Sequence, residues 1–349
     1  MRAAILRNRR IEVGDVPVPE PGPGEVLVKT LACGICGSDL HIYHQARDDA
    51  AGGGGIVMGH EFVGEIVDYG PDTNRRLKPG TRVNSIPILG RKTGAEFIGY
   101  SADNPGGYGE FMRLTEDHLL EIPNGLATEH AALTEPMSVG WHAVNRARLQ
   151  PGDVPLVVGC GPIGLAVIAG LKIKNIHPIV AASRSAKRRE LALAMGADIV
   201  VDPNEHSPYE AWREQAQTGR PDPGPTLPGW LVGSGLKPAV IFECVGGPKI
   251  IDEIMAGAPQ DARIVVVGLC FEAAAFQPMT GMRKELDIVF SNSFHRHEYA
   301  ETLHHLAEGK IDAAPLVTGK VGVGGVEAAF HDLANPISHA KILIEPWHD

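Results

Sequence analysis

The stretch Val157–Leu171, "VVGCGPIGLAVIAGL", decides the fold. An apolar run ends at Gly159-Cys160-Gly161 and is followed by residues with helical texture, so Gly159, Gly161 and Gly164 form G-x-G-x-x-G between a strand and a helix. In that setting the first glycine permits a tight turn and the second lets the backbone approach a pyrophosphate. The third allows close helix–strand packing. The helix N-terminus then offers unpaired N–H groups to phosphate. In a chain with 42 glycines, the setting carries this reading and the bare pattern does not.

Downstream, "HPIVAAS", "ADIVVD", "PAVIFECVG" and "ARIVVVG" are short apolar runs separated by helical or loop segments. Buried strands alternating with helices indicate a parallel sheet covered on both faces. Upstream, "AAIL", "RIEVGDV", "EVLVKTLA", "FVGEIVDYG", "RVNSIPI" and "EFMRL" are broken by Gly and Pro, the spacing of a β-rich, barrel-like domain. The tail from Phe294 holds one helix, "HEYAETLHHLAEGK", and a last strand, "AKILIEP".

A chain of 349 residues exceeds one ordinary core, so two domains are expected. Its 44% hydrophobic and 21% charged residues are the balance of a soluble globular protein. The net charge of −10 argues against non-specific affinity for nucleic acid or anionic membranes. Five cysteines, Cys33, Cys36, Cys160, Cys244 and Cys270, do not suggest a disulfide framework, and no run approaches a membrane span. A reducing cytoplasm is the expected compartment.

At the end of the second strand of the nucleotide fold, NAD-specific sites place an acid for the ribose 2′-hydroxyl. Here Ser183 takes that place, followed by Arg184, with Lys187, Arg188 and Arg189 on the next turn. An acid repels a 2′-phosphate, whereas a hydroxyl and a guanidinium bind one. NADP(H) is therefore the expected cofactor, with NAD(H) the alternative.

Three separated fragments carry side chains that suit zinc: Cys36 with Asp39 and His41, then Gly59-His60-Glu61, then Glu135. A catalytic zinc takes about three protein ligands and keeps one position open. With these fragments in place, the chain resembles the zinc-dependent medium-chain alcohol dehydrogenases, in their sorbitol and polyol dehydrogenase-like branch. "GICGSDLH", "MGHEFVGEIV", "GGYGEFM", "EPMSVGWHA" and "VVGCGPIGL" carry the resemblance, in the family's order and over nearly the whole chain.

The resemblance implies a GroES-like β-rich catalytic domain of residues 1–136 and 294–349, with a doubly wound Rossmann domain of residues 137–293 inserted and the active site in the cleft between them. It implies Cys36 and His60 as zinc ligands, with Glu135 in the third metal-facing position, directly or through water. Glu61 lies beside the metal and exchanges in as a ligand in some members. Asp39 is the carboxylate that orients the histidine, Ser38 touches the substrate alcohol, and His41 relays its proton towards solvent. The cofactor contacts comprise Gly159, Gly161, Pro162, Ile163, Gly164, Ser183, Arg184 and Arg188, with Val245, Gly268 and Leu269 after later strands. The implied reaction is zinc-assisted hydride transfer between a secondary alcohol or polyol (or a ketone or aldehyde) and the nicotinamide. The implied assembly is a homodimer or homotetramer.

The chain departs from the family in two places. Many relatives hold a structural zinc with four cysteines, but "LGRKTGAEFIGYSADNPGGYGEF" has none, so one zinc per subunit is expected. The Pro/Gly-rich segment Thr218–Pro238 reads as a surface loop. His295, His297, His304 and His305 read as surface or interface residues, and Cys33, Cys160, Cys244 and Cys270 as packing residues or bystanders. Two other functions stay open: a zinc-free quinone or enone reductase, and a catalytically silent dinucleotide-binding protein.

Overall fold

The computed structural model describes residues 1–45, 55–91, 94–123, 125–219, 235–335 and 339–348. Most of the Pro/Gly-rich segment, residues 220–234, lies outside them. The chain divides into two compact units, Met1–Pro136 with Tyr299–Asp349, and Met137–Glu298. The second crossing falls inside the helix Arg296–Ala307, between Glu298 and Tyr299, whereas the sequence reading places it at residue 294. Helical spacing continues through this point, so no break in the pattern marks it. Among the described residues, no helix is long and apolar enough to cross a membrane.

The continuous unit is a Rossmann-type parallel sheet. Its strands lie in the order Ile199–Val201, Val180–Ala182, Val154–Val158, Ala239–Glu243, Arg263–Val266, Asp287–Phe290. In chain order this is 3-2-1-4-5-6, with every neighbouring pair parallel. The central strands are apolar at nearly every position because both faces are covered, and Leu156, Ile241, Phe242 and Ile264 are fully buried.

The strand order reverses between Val154–Val158 and Ala239–Glu243, and the glycine turn sits there. The helix Pro162–Ile173 follows, with Gly161 at its N-cap, Pro162 in its first turn, and no side chain capping it. A Cβ on Gly164 would lie 1.9 Å from the Gly159 carbonyl oxygen, so only glycine allows the helix to start this close to the strand.

The other unit is β-rich. Its main sheet runs Val317–Val321, Lys341–Ile344, Glu25–Gly34, Glu61–Tyr69, Arg82–Asn84, Leu120–Glu121, with Phe111–Thr115 also paired to Glu25–Gly34. Both chain ends therefore share one sheet, since Ile344 pairs with Cys33 and Leu343 with Gly34. Residues 89–111 contain part of a short hairpin, Ile88–Arg91 with Gly94–Phe97, that the sequence reading did not resolve into strands.

Candidate metal and active site

Strand register builds the site. Glu25–Gly34 pairs antiparallel with Glu61–Tyr69, and the last matched pair is Gly34 with Glu61. Cys36, two residues beyond Gly34, and His60, one residue before Glu61, therefore leave the same end of the ladder. A Cβ on Gly34 would lie 2.0 Å from a Glu61 carboxylate oxygen, so glycine is required where this carboxylate crosses the strand. One ligand atom from each of Cys36, His60 and Glu61 lies within 4.8 Å of the other two.

Asp39 follows on the helix Gly37–Gln45 and is fully buried. Its Oδ2 accepts hydrogen bonds from the Cys36 backbone N–H at 2.9 Å and from the Tyr108 hydroxyl at 2.7 Å. Its Oδ1 stands 3.4 Å from His60 Nδ1, an ion-pair contact without hydrogen-bond alignment. The carboxylate thus faces one ring nitrogen of His60, while Nε2 on the other side lies 3.5 Å from Ser38 Oγ. A carboxylate behind a histidine in this manner fixes its tautomer and aims it at a cation.

Burial alone would raise the Asp39 pKa, but the His60 charge and the hydrogen bonds from Cys36 and Tyr108 hold it below its ordinary value. Burial would likewise lower that of His60. Asp39 and Cys36 outweigh it, and the imidazole is held well above its usual range.

Glu135 opens the helix Thr134–Arg146, whose first residue accepts a hydrogen bond from Asn84 Nδ2 at 2.9 Å. Its carboxyl is half-buried and lies outside the three-residue cluster, so Glu61 is the carboxylate that joins Cys36 and His60. Burial pushes the Glu135 pKa up to about 7. His60 and Lys341 pull it down, while Glu61 and Asp39 push it further up. Lys341, in an otherwise apolar strand of the tail, places Nζ 2.7 Å from both Glu61 oxygens.

A thiol, an imidazole and a carboxylate thus lie together beside one buried ammonium. That donor set fits a divalent cation of borderline softness such as zinc.

Ser38 is half-buried, and its hydroxyl also lies 3.3 Å from that of Tyr100. His41, three residues along the same helix, is exposed. Cys33 is fully buried in the β-rich core, with Sγ against Gly59 and Gly107, and takes no part in the cluster. Lys341, Tyr100 and Tyr108 escaped the sequence reading. The one signal was a cation inside the apolar run "AKILIEP".

In the Rossmann unit, Ser183 follows the strand Val180–Ala182, is buried, and accepts from the Ser185 N–H at 3.4 Å. Arg189 is occupied, at 2.6 Å from the Ser183 carbonyl and 2.8 Å from Asp202. Arg184 is exposed. Arg188 is half-buried beside the glycine turn, with a buried Nε that has no hydrogen-bond partner. A Cβ on Gly161 would lie 3.9 Å from Arg188 Nη1. Val245 and Leu269 are exposed at the carboxyl ends of their strands, and the Leu269 carbonyl oxygen would meet a Cβ on Gly246 at 2.3 Å. Glu243, missed in the sequence reading, is buried and accepts from the N–H groups of Val245 and Gly246 at 2.6 and 2.8 Å, which shapes this rim.

Residues 22–124 match the family model described as the alcohol dehydrogenase GroES-like domain, and residues 162–308 the one described as zinc-binding dehydrogenase. The chain is 31% identical to (R,R)-butanediol dehydrogenase of Bacillus subtilis, over 99% of this chain and 100% of the relative. It is 30% identical to sorbitol dehydrogenase of the same organism, over 91% of this chain and 89% of the relative. The crystal structure of 2R,3R-butanediol dehydrogenase from Bacillus subtilis superposes with a TM-score of 0.82 at 30% identity, covering 99% of both chains. With these matches and this arrangement of residues, the chain belongs to the zinc-dependent medium-chain alcohol dehydrogenases, on their polyol dehydrogenase-like side, and is an oxidoreductase acting on CH–OH groups.

Proposed function

We propose that this enzyme interconverts a secondary alcohol or vicinal polyol and its ketone, using NADP(H) in preference to NAD(H) and a single zinc. The observation that carries the reading is the convergence of Cys36, His60 and Glu61 with the Ser38 hydroxyl 3.5 Å from His60. The relatives named for butanediol and sorbitol support the substrate class.

Cys36 and His60 would hold the metal, with Glu61 or Glu135 as its carboxylate. When bound, the metal supplies Lewis acidity to an alcohol oxygen and the nicotinamide accepts the hydride. Asp39 keeps His60 in its ligating orientation. Ser38 accepts the alcohol proton at Oγ, and His41, on the same helix face, passes it to solvent. Gly161 and the uncapped helix start bind the pyrophosphate. Ser183, Arg184 and Arg188 take the 2′-phosphate, because Arg189 is already committed to Asp202.

A panel of diols, polyols and ketones assayed with both cofactors tests this. The expected result is turnover on vicinal diols or polyols with the higher kcat/KM for NADP(H), abolished when the metal is chelated. Equal or better efficiency with NAD(H) refutes the cofactor preference. Full activity in metal-free protein refutes the zinc.

A further inference from the structure

Within the Rossmann unit, Glu298 lies in the first turn of the helix Arg296–Ala307 and accepts three hydrogen bonds. The His295 backbone N–H and His142 Nδ1 donate to Oε2 at 2.8 and 2.7 Å, and Asn145 Nδ2 donates to Oε1 at 2.8 Å. His142 and Glu298 are buried and His295 is exposed. A carboxylate oxygen accepts at this 2.7 Å contact, so the shared hydrogen sits on His142 Nδ1 and Nε2 is the ring nitrogen left to ligate. This is the orientation that a carboxylate imposes on a ligating histidine.

The His295 ring faces this pair. Its centroid is 5.0 Å from that of His142 with the planes at 88°, and His297 stacks behind it at 5.6 Å. Two imidazoles sharing one tetrahedral ion, at about 2.0 Å per bond, have ring centres about 5 Å apart. One ligand atom each from His142, His295 and Glu298 lies within 4.8 Å of the other two.

We infer that His142 and His295 form a second divalent-cation site, in the Rossmann unit, for a borderline metal such as zinc, with Glu298 holding His142 in its ligating tautomer. It shares no residue with the Cys36, His60 and Glu61 cluster. Two imidazoles with an exposed side leave positions for water, so the ion here exchanges, and the count of tightly held zinc stays at one. The bound ion would pin the residue just ahead of the helix Arg296–Ala307 to His142.

The test is calorimetric titration of the purified protein, its tight metal in place, with Zn2+ and separately with Co2+. The expected result is one further exchangeable equivalent. His295→Ala, at an exposed position, weakens it by at least about tenfold, and Glu298→Gln by about 10- to 100-fold. Replacing both His304 and His305 by Ala leaves it unchanged. Cys36→Ser, which removes a ligand from the other cluster, also retains it, so this inference stands or falls separately from the proposed catalytic zinc. Absence of a further equivalent in the unaltered protein overturns the proposal. So does an unchanged affinity in His295→Ala, or loss of binding on removing His304 and His305.

Discussion

Lys341 Nζ lies 2.7 Å from each carboxylate oxygen of Glu61, and both side chains are buried. Burial works to lower the Lys341 pKa, yet Glu61, Cys36 and Glu135 keep it above its ordinary value. Removing one member of a buried pair strands the other charge, at a cost of about 3–5 kcal/mol. Lys341→Met is expected to lower stability by that order in urea unfolding. The double variant Lys341→Met with Glu61→Gln should recover much of the loss, because no uncompensated carboxylate remains. Losses that simply add would show that the pairing does not set the cost.

The Cys-x-x-Cys appearance of Cys33 and Cys36 makes a sharp contrast. Cys36→Ser is expected to abolish tight metal binding and to cut kcat/KM by about a thousandfold or more, corresponding to about 4 kcal/mol of lost stabilisation. Cys33→Ala should retain the metal and lose about 1 kcal/mol of packing at a fully buried site. Metal analysis with steady-state kinetics of both variants checks this. Metal loss in Cys33→Ala would contradict it.

Thiol chemistry offers an independent reading. Burial pushes the Cys160 thiol up to about 12. Near pH 8 its thiolate fraction in the folded protein is on the order of one in ten thousand, and the thiolate is the reactive form. Iodoacetamide at pH 8, followed by peptide mass mapping, should leave Cys160 and fully buried Cys33 unlabelled. Half-buried Cys36 should become labelled only after chelation.

Gly164→Ala places a methyl 1.9 Å from the Gly159 carbonyl oxygen, which backbone movement must relieve. A loss of about 1–3 kcal/mol is expected, with a larger effect on KM for the dinucleotide than for the alcohol. Thermal unfolding and cofactor titration check both.

Cofactor choice is testable at one side chain. Arg188→Ala should lower the kcat/KM ratio of NADP to NAD by about 10- to 100-fold, the worth of a charge-assisted hydrogen bond to phosphate. An unchanged ratio would leave Arg184 as the guanidinium that matters.

The Rossmann unit was legible in the sequence because local pattern dictates it: glycine spacing, apolar runs of strand length, and alternation with helices. The candidate metal cluster was legible in composition but not in geometry. Cys36, His60 and Glu61 stand close in sequence to paired strands, whereas the separation of Glu135 from that cluster depends on how one helix start is anchored through Asn84 and Thr134. Tyr100, Tyr108 and Lys341 arrive through long-range pairing and carry no motif. His295 reads as a surface residue and is exposed; its ring contact with His142, far away in the chain, leaves no local pattern in the sequence.

The shared sheet has a consequence for the order of assembly. The strand Lys341–Ile344 lies beside Glu25–Gly34, so the β-rich unit lacks an inner strand until the Rossmann unit between them has been synthesised. The Rossmann unit, continuous in sequence, meets no such wait. During translation the Rossmann unit is expected to mature first, while Cys36 and His60 stand without the strand that carries Lys341. The charge that faces Glu61 would then arrive only with the strand Lys341–Ile344, after the Rossmann unit has been made.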